Sequence, residues 1–234
     1  MHNRLAIFDC DGTLVDSQHN ICRAMSDCFV GVGLDPPPAE RTRRVVGLSL
    51  VEAMRALMPE AEEALHADMV ERYKRAFQAM RARGHVEEPL FDGIAALIEG
   101  LEADGWLLGV ATGKSDRGLA LCLDFHGIAD RFVTLQTADR HPSKPHPSMI
   151  ETAMAEAGAV PETTLMIGDT SFDIAMGRAA GVTAIGVAWG YHDSHELWEA
   201  GAHHVAAHPQ EISEWLKMKT PLPSAMRPGA TASS

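Results

Sequence analysis

The chain has 234 residues, 46% of them hydrophobic and 22% charged, a composition typical of a globular protein with one substantial core and room for a modest insertion. Its 32 acidic and 20 basic residues give a formal net charge of −12, which disfavours nucleic acids and anionic membranes as partners. No uninterrupted apolar run is long enough to span a bilayer, so we expect no transmembrane segment. Because the net charge is negative, any anionic ligand would have to be attracted by local positive charge.

The first predicted element is an apolar strand over residues 5–8, which ends in the sequence DCDGT. Its two carboxylates, Asp9 and Asp11, repel each other, so a fold retains such a pair where a cation or a catalytic task stabilises it. A turn at Gly12 directs them toward different parts of one ligand. One carboxylate can then attack a phosphorus atom while the other transfers a proton, beside a cation such as Mg²⁺. The alternative, an idle solvated turn, is disfavoured by the segments that follow.

From residue 17 to residue 88 the apolar residues recur at helical spacing, which predicts an all-helical block. Ser49 and Glu52 have the spacing of a capping box and predict the start of one of these helices. A long apolar stripe follows, and we interpret it as a packing face. The members of this stripe are Leu65, Met69, Tyr73, Phe77 and Met80.

Beyond Pro89 strand and helix patterns alternate, which predicts a parallel sheet covered by helices on both faces. The further predicted strands cover residues 106–111, 132–135, 164–167, 184–187 and 204–207. Residues 217–234 are rich in Pro, Ser, Ala and Gly without apolar periodicity, and we expect a flexible tail there.

Polar side chains follow two of these later strands. Thr112 and Gly113 come directly after residues 106–111, and Asp169 and Asp173 come after residues 164–167. Lys144 lies between these two strands in the sequence, just before a helical pattern. Because the carboxyl ends of parallel strands meet at one edge of a sheet, we expect these side chains to converge with the aspartates of the first strand.

The cysteines and histidines give no sign of a zinc site. Cys10, Cys22, Cys28 and Cys122 lack paired ligand spacing, and the histidines between residues 192 and 208 lack further ligands nearby. We interpret these histidines as solvated surface side chains. Because no secretory signal precedes the cysteines, we expect reduced thiols in a cytoplasmic protein.

The segments DCDGTLVDS, TGK, the Lys144-Pro145 pair and GDTSFD, in this order and spacing, resemble the haloacid dehalogenase (HAD) superfamily of phosphohydrolases over residues 5–216. The strongest resemblance is to its phosphoglycolate-phosphatase-like branch. It implies an α/β fold with a Rossmann-like (HAD-like) parallel sheet flanked by helices and an inserted all-helical cap. The implied core is 1–16 and 89–216, the cap is 17–88 and the tail is 217–234.

The resemblance also implies roles for the polar residues. Asp9 is the nucleophile that forms an aspartyl phosphate, and Asp11 protonates the leaving group and then activates water. Thr112, the backbone amide of Gly113 and Lys144 bind the phosphoryl oxygens, on which negative charge is spread during transfer.

The implied cofactor is Mg²⁺, bound by the carboxylates of Asp9 and Asp169 and the backbone carbonyl of Asp11. Asp173 supports this site directly or through water. Many relatives carry Asn where this chain has Gly113, so one side-chain contact to the ligand is lost here. The acid at Asp11 argues against carbon–halogen hydrolysis, because true dehalogenases of the superfamily lack it.

The leading prediction is Mg²⁺-dependent hydrolysis of a small phosphomonoester, with 2-phosphoglycolate favoured by resemblance and other phosphorylated metabolites or pyrophosphate close behind. A sugar phosphomutase of the β-phosphoglucomutase type and a non-catalytic phospholigand binder are the alternatives. Both a monomer and a homodimer are compatible with the sequence. Six basic residues of the helical block are candidates to contact the substrate beyond its phosphate. They are Arg41, Arg43, Arg44, Arg72, Lys74 and Arg75.

Overall fold

The computed structural model describes residues 2–219, and its strands form one six-stranded sheet. All neighbouring strands are parallel, in the order β3-β2-β1-β4-β5-β6. The strands are β1 (Asn3–Phe8), β2 (Leu107–Thr112), β3 (Phe132–Thr137), β4 (Ala159–Gly168), β5 (Thr183–Val187) and β6 (His204–Ala206). The predicted α/β architecture with a parallel sheet is confirmed.

Some helices pack on the sheet, and the four that follow β1 in the chain form a separate group. The helices are α1 (Gln18–Val30), α2 (Ala39–Arg43), α3 (Leu50–Leu57), α4 (Glu63–Ala82), α5 (Ile94–Ala103), α6 (Asp116–Phe125), α7 (Ser148–Ala157), α8 (Ser171–Ala179), α9 (Ser194–Glu199) and α10 (Pro209–Lys219). None of these helices is long and apolar enough to cross a membrane. Because α10 continues to Lys219, the tail predicted from residue 217 begins too early, and the rest of that prediction lies outside the described residues.

Strand β1 lies at the point in the sheet where the order of strand addition reverses. Its residues Leu5, Ala6, Ile7 and Phe8 are all fully buried, as expected for an unbroken apolar run in a parallel strand covered on both faces. Chain order runs outward from β1 to β2 and β3 on one side and to β4, β5 and β6 on the other. Ligands of such sheets bind at the carboxyl ends of the strands beside this switch point, which is where Asp9 follows β1.

Helices α1–α4, which we call the cap helices, pack around an apolar cluster of their own. Met25, Met54 and Met69 are buried at its centre. Helix α3 begins after Ser49, whose hydroxyl accepts a hydrogen bond from the backbone N–H of Glu52 at 3.4 Å, so the predicted helix start is confirmed. The division of the chain into a cap of residues 17–88 and a core remains a prediction.

The two connections between the cap helices and the sheet run side by side. The backbone N–H of Asp16 donates to the carbonyl of Pro89 at 2.9 Å, and Val15 forms an antiparallel bridge with Leu90. Pairing of this kind fixes where the chain leaves the sheet and where it returns, so the cap helices are held above the end of β1.

The interpretation of the carboxyl-terminal histidines as solvated is wrong for His192. This residue is only 6% exposed. Its Nδ1 accepts a hydrogen bond from the backbone N–H of Ser171 at 3.2 Å, and its ring packs edge-on against Phe172. Burial lowers the pKa of His192, so its environment favours the neutral ring.

Candidate active site

The turn after β1 separates the two carboxylates of the first motif. Asp9 is fully buried and Asp11 is 8% exposed. Between them and the following loop, Gly12 has φ of 85°, a left-handed conformation that glycine adopts without strain. A Cβ at Gly12 would lie 2.2 Å from Asp169 Oδ2, so only glycine allows the backbone to approach this carboxylate so closely.

Lys144 is the buried cation of the site. Its Nζ lies 2.8 Å from Asp9 Oδ1 and 2.6 Å from Asp173 Oδ1. Burial opposes the charge on Lys144, but Asp173 and Asp9 outweigh it and raise the pKa of the ammonium group above its ordinary value. Burial also raises the pKa of Asp9 to about 7, although Lys144 opposes that shift.

Asp169 follows β4 and is held by two donors. Thr13 Oγ1 donates to its Oδ1 at 2.8 Å, and the backbone N–H of Tyr191 donates to its Oδ2 at 2.9 Å. Burial, together with the charges of Asp9 and Asp173, raises the pKa of Asp169 well above its ordinary value. Three buried carboxylates therefore cluster around one lysine, and their negative charge exceeds its positive charge.

This charge deficit fits a divalent cation. Asp9, Asp169 and Asp173 each offer an oxygen, and these oxygens lie within 4.8 Å of one another. Asp9 Oδ2 is buried and has no hydrogen-bond partner among the described residues. Both oxygens of Asp173 already accept bonds, Oδ1 from Lys144 and Oδ2 from Thr170. An all-oxygen set of this kind suits Mg²⁺, and Asp9 Oδ2 is its most available ligand atom, because both oxygens of Asp169 and of Asp173 already accept bonds.

A chain of ion pairs connects Asp11 to the cap helices. Ser17 Oγ donates a hydrogen bond to Asp11 Oδ1, and Lys114 Nζ lies 2.7 Å from the same oxygen. Lys114 Nζ also lies 2.9 Å from Glu88 Oε1, and Arg81 of α4 contacts Glu88 Oε2 at 2.7 Å. Burial would lower the pKa of Lys114, but the neighbouring acids, Asp11 foremost, raise it well above its ordinary value.

The loop after β2 lies directly beneath the segment that precedes α3. Thr112 is buried, and its hydroxyl accepts a hydrogen bond from the backbone N–H of Lys114 at 3.2 Å. A Cβ on Gly113 would lie 2.5 Å from the carbonyl oxygen of Leu48. The backbone N–H of Ser49 donates to Ser143 Oγ, at 2.8 Å, in the loop that carries Lys144. Glycine at position 113 thus has a physical reason, because a side chain there would displace this segment.

A cavity of about 660 Å³, which we call the chamber, lies between these loops and the cap helices. Its core side is polar. The core side includes Asp9, Asp11, Thr112, Gly113 and Lys114. Its opposite side is mostly apolar and aromatic, with Lys74, Gln78 and Arg81 of α4 also in the lining. This cap side includes Ile21, Met25, Val45, Val70, Tyr73 and Phe77. Tyr73 and Phe77, interpreted from the sequence as packing residues, therefore also line the chamber.

A family model described as haloacid dehalogenase-like hydrolase matches residues 6–187. The chain belongs to this family. A protein named probable phosphatase IndB, from Dickeya dadantii, is 34% identical over 215 residues, which cover 89% of this chain and 88% of that protein. A phosphoglycolate phosphatase of Xylella fastidiosa is 29% identical over 202 residues, or 84% of this chain and 86% of the relative.

Solved structures share the fold of this haloacid dehalogenase-like hydrolase. A crystal structure described as a predicted phosphatase from Clostridium acetobutylicum superposes with a TM-score of 0.84 at 24% identity. The superposition covers 93% of this chain and 99% of that one. The resemblance seen in the motifs therefore extends over the sheet and the cap helices.

All the site residues predicted from the sequence converge in this hydrolase. The carboxylates of Asp9, Asp169 and Asp173 cluster, Lys144 bridges two of them, and Asp11 lines the chamber. Thr112 and Gly113 also line the chamber, beside Asp9. Their catalytic and ligand roles remain predictions.

Sequence reasoning missed several residues that contact this group. Thr13, Ser17 and Lys114 lie inside the recognised motifs, and their polar side chains were the available signal. Tyr191 contributes a backbone amide to Asp169, which its side chain does not encode. Glu88 lies far from the motifs in sequence and reaches Lys114 only because the chain returns from α4 beside the chamber.

Proposed function

We propose that this protein hydrolyses a small phosphate monoester in a Mg²⁺-dependent reaction that proceeds through an aspartyl phosphate. The observation that carries the proposal is Asp9, a buried carboxylate at the end of the central strand. It is paired with Lys144, and its Oδ2 has no hydrogen-bond partner among the described residues. An oxygen without donors is available for attack on phosphorus or for ligation of a cation.

Asp9 and Asp11 divide the chemistry between them. A carboxylate oxygen of Asp9 forms a bond to phosphorus while the bond from phosphorus to the leaving-group oxygen breaks. Asp11 donates a proton to that oxygen. It afterwards accepts a proton from the water that attacks phosphorus, while the bond between phosphorus and the Asp9 oxygen breaks, which releases orthophosphate and restores the Asp9 carboxylate. Ser17 and Lys114 keep the Asp11 carboxylate in place during both steps.

The remaining groups stabilise the charge of the phosphoryl group. Lys144, the Thr112 hydroxyl and the backbone amide of Gly113 bind its oxygens. Mg²⁺ is the proposed cofactor, held by the carboxylates of Asp9 and Asp169 and the backbone carbonyl of Asp11, with Asp173 in support. When bound, it neutralises negative charge on the phosphoryl group and the clustered carboxylates.

The test is orthophosphate release by the wild type and by Asp9→Asn, with Mg²⁺, over a panel that includes 2-phosphoglycolate, glucose 1-phosphate and pyrophosphate. We expect the substitution to lower kcat at least about 10³-fold, because the amide is a poor nucleophile. Asp35→Asn, at an exposed loop position, is the matched control. Turnover of Asp9→Asn at the control rate would remove Asp9 as the nucleophile.

The same panel separates the alternatives. We expect orthophosphate as the product of ester hydrolysis. Because phosphoglycolate phosphatases are among the relatives, 2-phosphoglycolate is the first ester to assay. Isomerisation of glucose 1-phosphate with a bisphosphate activator would instead indicate a phosphomutase. Preferential cleavage of pyrophosphate would indicate a pyrophosphatase, and no turnover of any compound would indicate a binding protein.

A further inference from the structure

The chamber is large for a two-carbon substrate. At about 660 Å³ it falls within the range of cavities that enclose drug-sized ligands. A phosphoryl group bound beside Asp9 occupies only its core side. The leaving group attached to that phosphate must therefore extend toward the cap helices.

The cap side of the chamber offers apolar contacts to such a group. Ile21, Met25 and Val70 line it with apolar side chains, which form a wall without hydrogen-bonding groups. A carboxylate placed against this wall would lose its hydration without gaining a partner. An apolar group placed there would be stabilised in proportion to the area removed from water.

The cations around the chamber are already engaged or solvated. Within the described residues, four lysine and arginine side chains line it: Lys74, Arg81, Lys114 and Arg117. Lys74 pairs with Glu71 at 3.1 Å, and the two cations nearest the core pair with Glu88. Arg117 is exposed on α6, where solvent screens its charge. The other five basic residues considered as substrate contacts do not line the chamber.

An aromatic pair of α4 lines the chamber. The rings of Tyr73 and Phe77 on α4 have centroids 6.0 Å apart. Lys114 Nζ lies 5.9 Å from the centroid of the Phe77 ring and 2.7 Å from Asp11 Oδ1. Lys114 therefore contacts both the Phe77 ring and the residue proposed to protonate the leaving-group oxygen, so the ring lies on the Asp11 side of the chamber. Aromatic rings pack favourably against other rings, whereas their negative faces do not attract a carboxylate.

We propose that the leaving group of the substrate is an uncharged alcohol bearing a planar, apolar ring, which packs against Phe77 and the other apolar residues of the cap side of the chamber. This inference rests on the proposed phosphatase function and deepens it. It differs from the prediction drawn from sequence resemblance, which favours the small carboxylated ester 2-phosphoglycolate.

A matched substrate series tests the proposal. Benzyl phosphate, ethyl phosphate and 2-phosphoglycolate are all phosphates of a primary alcohol, and they differ only in the ring, methyl or carboxylate on the same carbon. We expect kcat/KM for benzyl phosphate to exceed both others by at least about tenfold. Equal or faster turnover of 2-phosphoglycolate overturns the proposal. So does faster turnover of uridine 5′-monophosphate than of benzyl phosphate, since its ring follows a hydroxylated sugar.

Substitution of Phe77 localises the effect. Phe77→Ala should lower kcat/KM for benzyl phosphate by about tenfold and for ethyl phosphate by less, so that the ratio of the two falls. Phe125→Ala is the control, because Phe125 is 77% exposed on α6 and outside the chamber lining. If Phe77→Ala does not fold, Phe77→Leu retains apolar volume without the ring and should also lower the ratio. An unchanged ratio in a folded Phe77 variant contradicts the assignment.

Binding to the Asp9→Asn variant separates this inference from the reaction chemistry. Calorimetric titration with benzyl phosphate and with 2-phosphoglycolate compares the two ligands without turnover. We expect benzyl phosphate to bind at least about tenfold more tightly. Tighter binding without hydrolysis by the wild type would refute the proposed function and keep the ligand preference, whereas hydrolysis with the opposite preference would refute only the inference.

Discussion

The core side and the cap side of the chamber solve different physical problems. On the core side, Asp9 follows the buried strand β1 and pairs with Lys144 of the loop before α7, and both side chains are removed from solvent. On the cap side, Met25 and Val70 are also buried, but they carry no charge. Buried charges must be paired at fixed distances, whereas apolar contacts depend mainly on area and shape. A rigid sheet edge therefore suits the first, and a group of helices with variable side chains suits the second.

This contrast assigns chemistry and selectivity to different parts of the chain. Changes on the core side should act on kcat, metal binding and stability together, because the same carboxylates contribute to all three. Changes on the cap side should act on the ranking of substrates. Changes where the two sides touch should disturb both.

The largest effect on stability is expected from Lys144→Met, which removes the buried cation and leaves the carboxylates of Asp9 and Asp173 without an ion-pair partner. Breaking a buried ion pair in this way costs on the order of 3–5 kcal/mol of the free energy of unfolding. The loss should be measured by urea denaturation without divalent cation, and added Mg²⁺ should recover part of it.

The control for this change is Lys217→Met at an exposed position of α10, which should stay within about 0.5 kcal/mol of the wild type. A Lys144→Met protein as stable as this control would show that the carboxylates do not depend on the lysine. The stability of the core side would then depend less on the pairing of its charges than the geometry indicates.

An intermediate effect is expected at the contact between the two sides, from Gly113→Ala. The added Cβ would meet the Leu48 carbonyl at 2.5 Å, and backbone atoms there have little room to move. Overpacking of this kind costs about 1–3 kcal/mol of the free energy of unfolding and should raise KM, because the segment before α3 is displaced from the chamber.

Gly100→Ala provides a control of opposite sign. Gly100 lies inside α5, and an added Cβ would meet no atom within 4 Å, so alanine there should stabilise the protein by about 0.5–1 kcal/mol. Thermal denaturation and steady-state kinetics compare the two variants. If both glycine substitutions are stabilising, the close contact between Gly113 and Leu48 does not exist in solution.

The smallest effect is expected from Arg44→Ala, which breaks the ion pair between the segment after α2 and Glu196 of α9. The Arg44 side chain is 47% exposed, and exposed pairs contribute about 0–1 kcal/mol. The difference in free energy of unfolding from the wild type should shrink further at high salt. A loss above about 2 kcal/mol that persists at high salt would mean that this pair, rather than the buried contacts, holds the cap helices in place.

The strands and the core side were predictable because their signals are local. An unbroken apolar run such as residues 5–8 can be satisfied only by burial, and a carboxylate directly after it must lie at the strand end. The rule that parallel strands present their carboxyl ends on one edge then brings Asp9, Thr112 and Asp169 together. Their mutual contacts agree with this expectation.

Other features could not be derived from local patterns. Tyr73 and Phe77 fit a helical packing stripe, and periodicity alone does not distinguish a face that meets another helix from one that meets a cavity. His192 lies in a polar stretch and is nevertheless buried, because α8 and its flanking loop close over it. The ion pair between Lys114 and Glu88 was also undetermined, since the two residues are 26 positions apart in the chain.

The amino-acid sequence alone determined the α/β class, the central strand and the identity of the polar groups that meet at its end, because hydrophobic periodicity and motif order are properties of the chain itself. The tertiary structure decided the size of the chamber, its apolar cap side and the pairing of each charged residue. Those depend on distances between segments far apart in sequence, which are set by how the cap helices pack over the sheet.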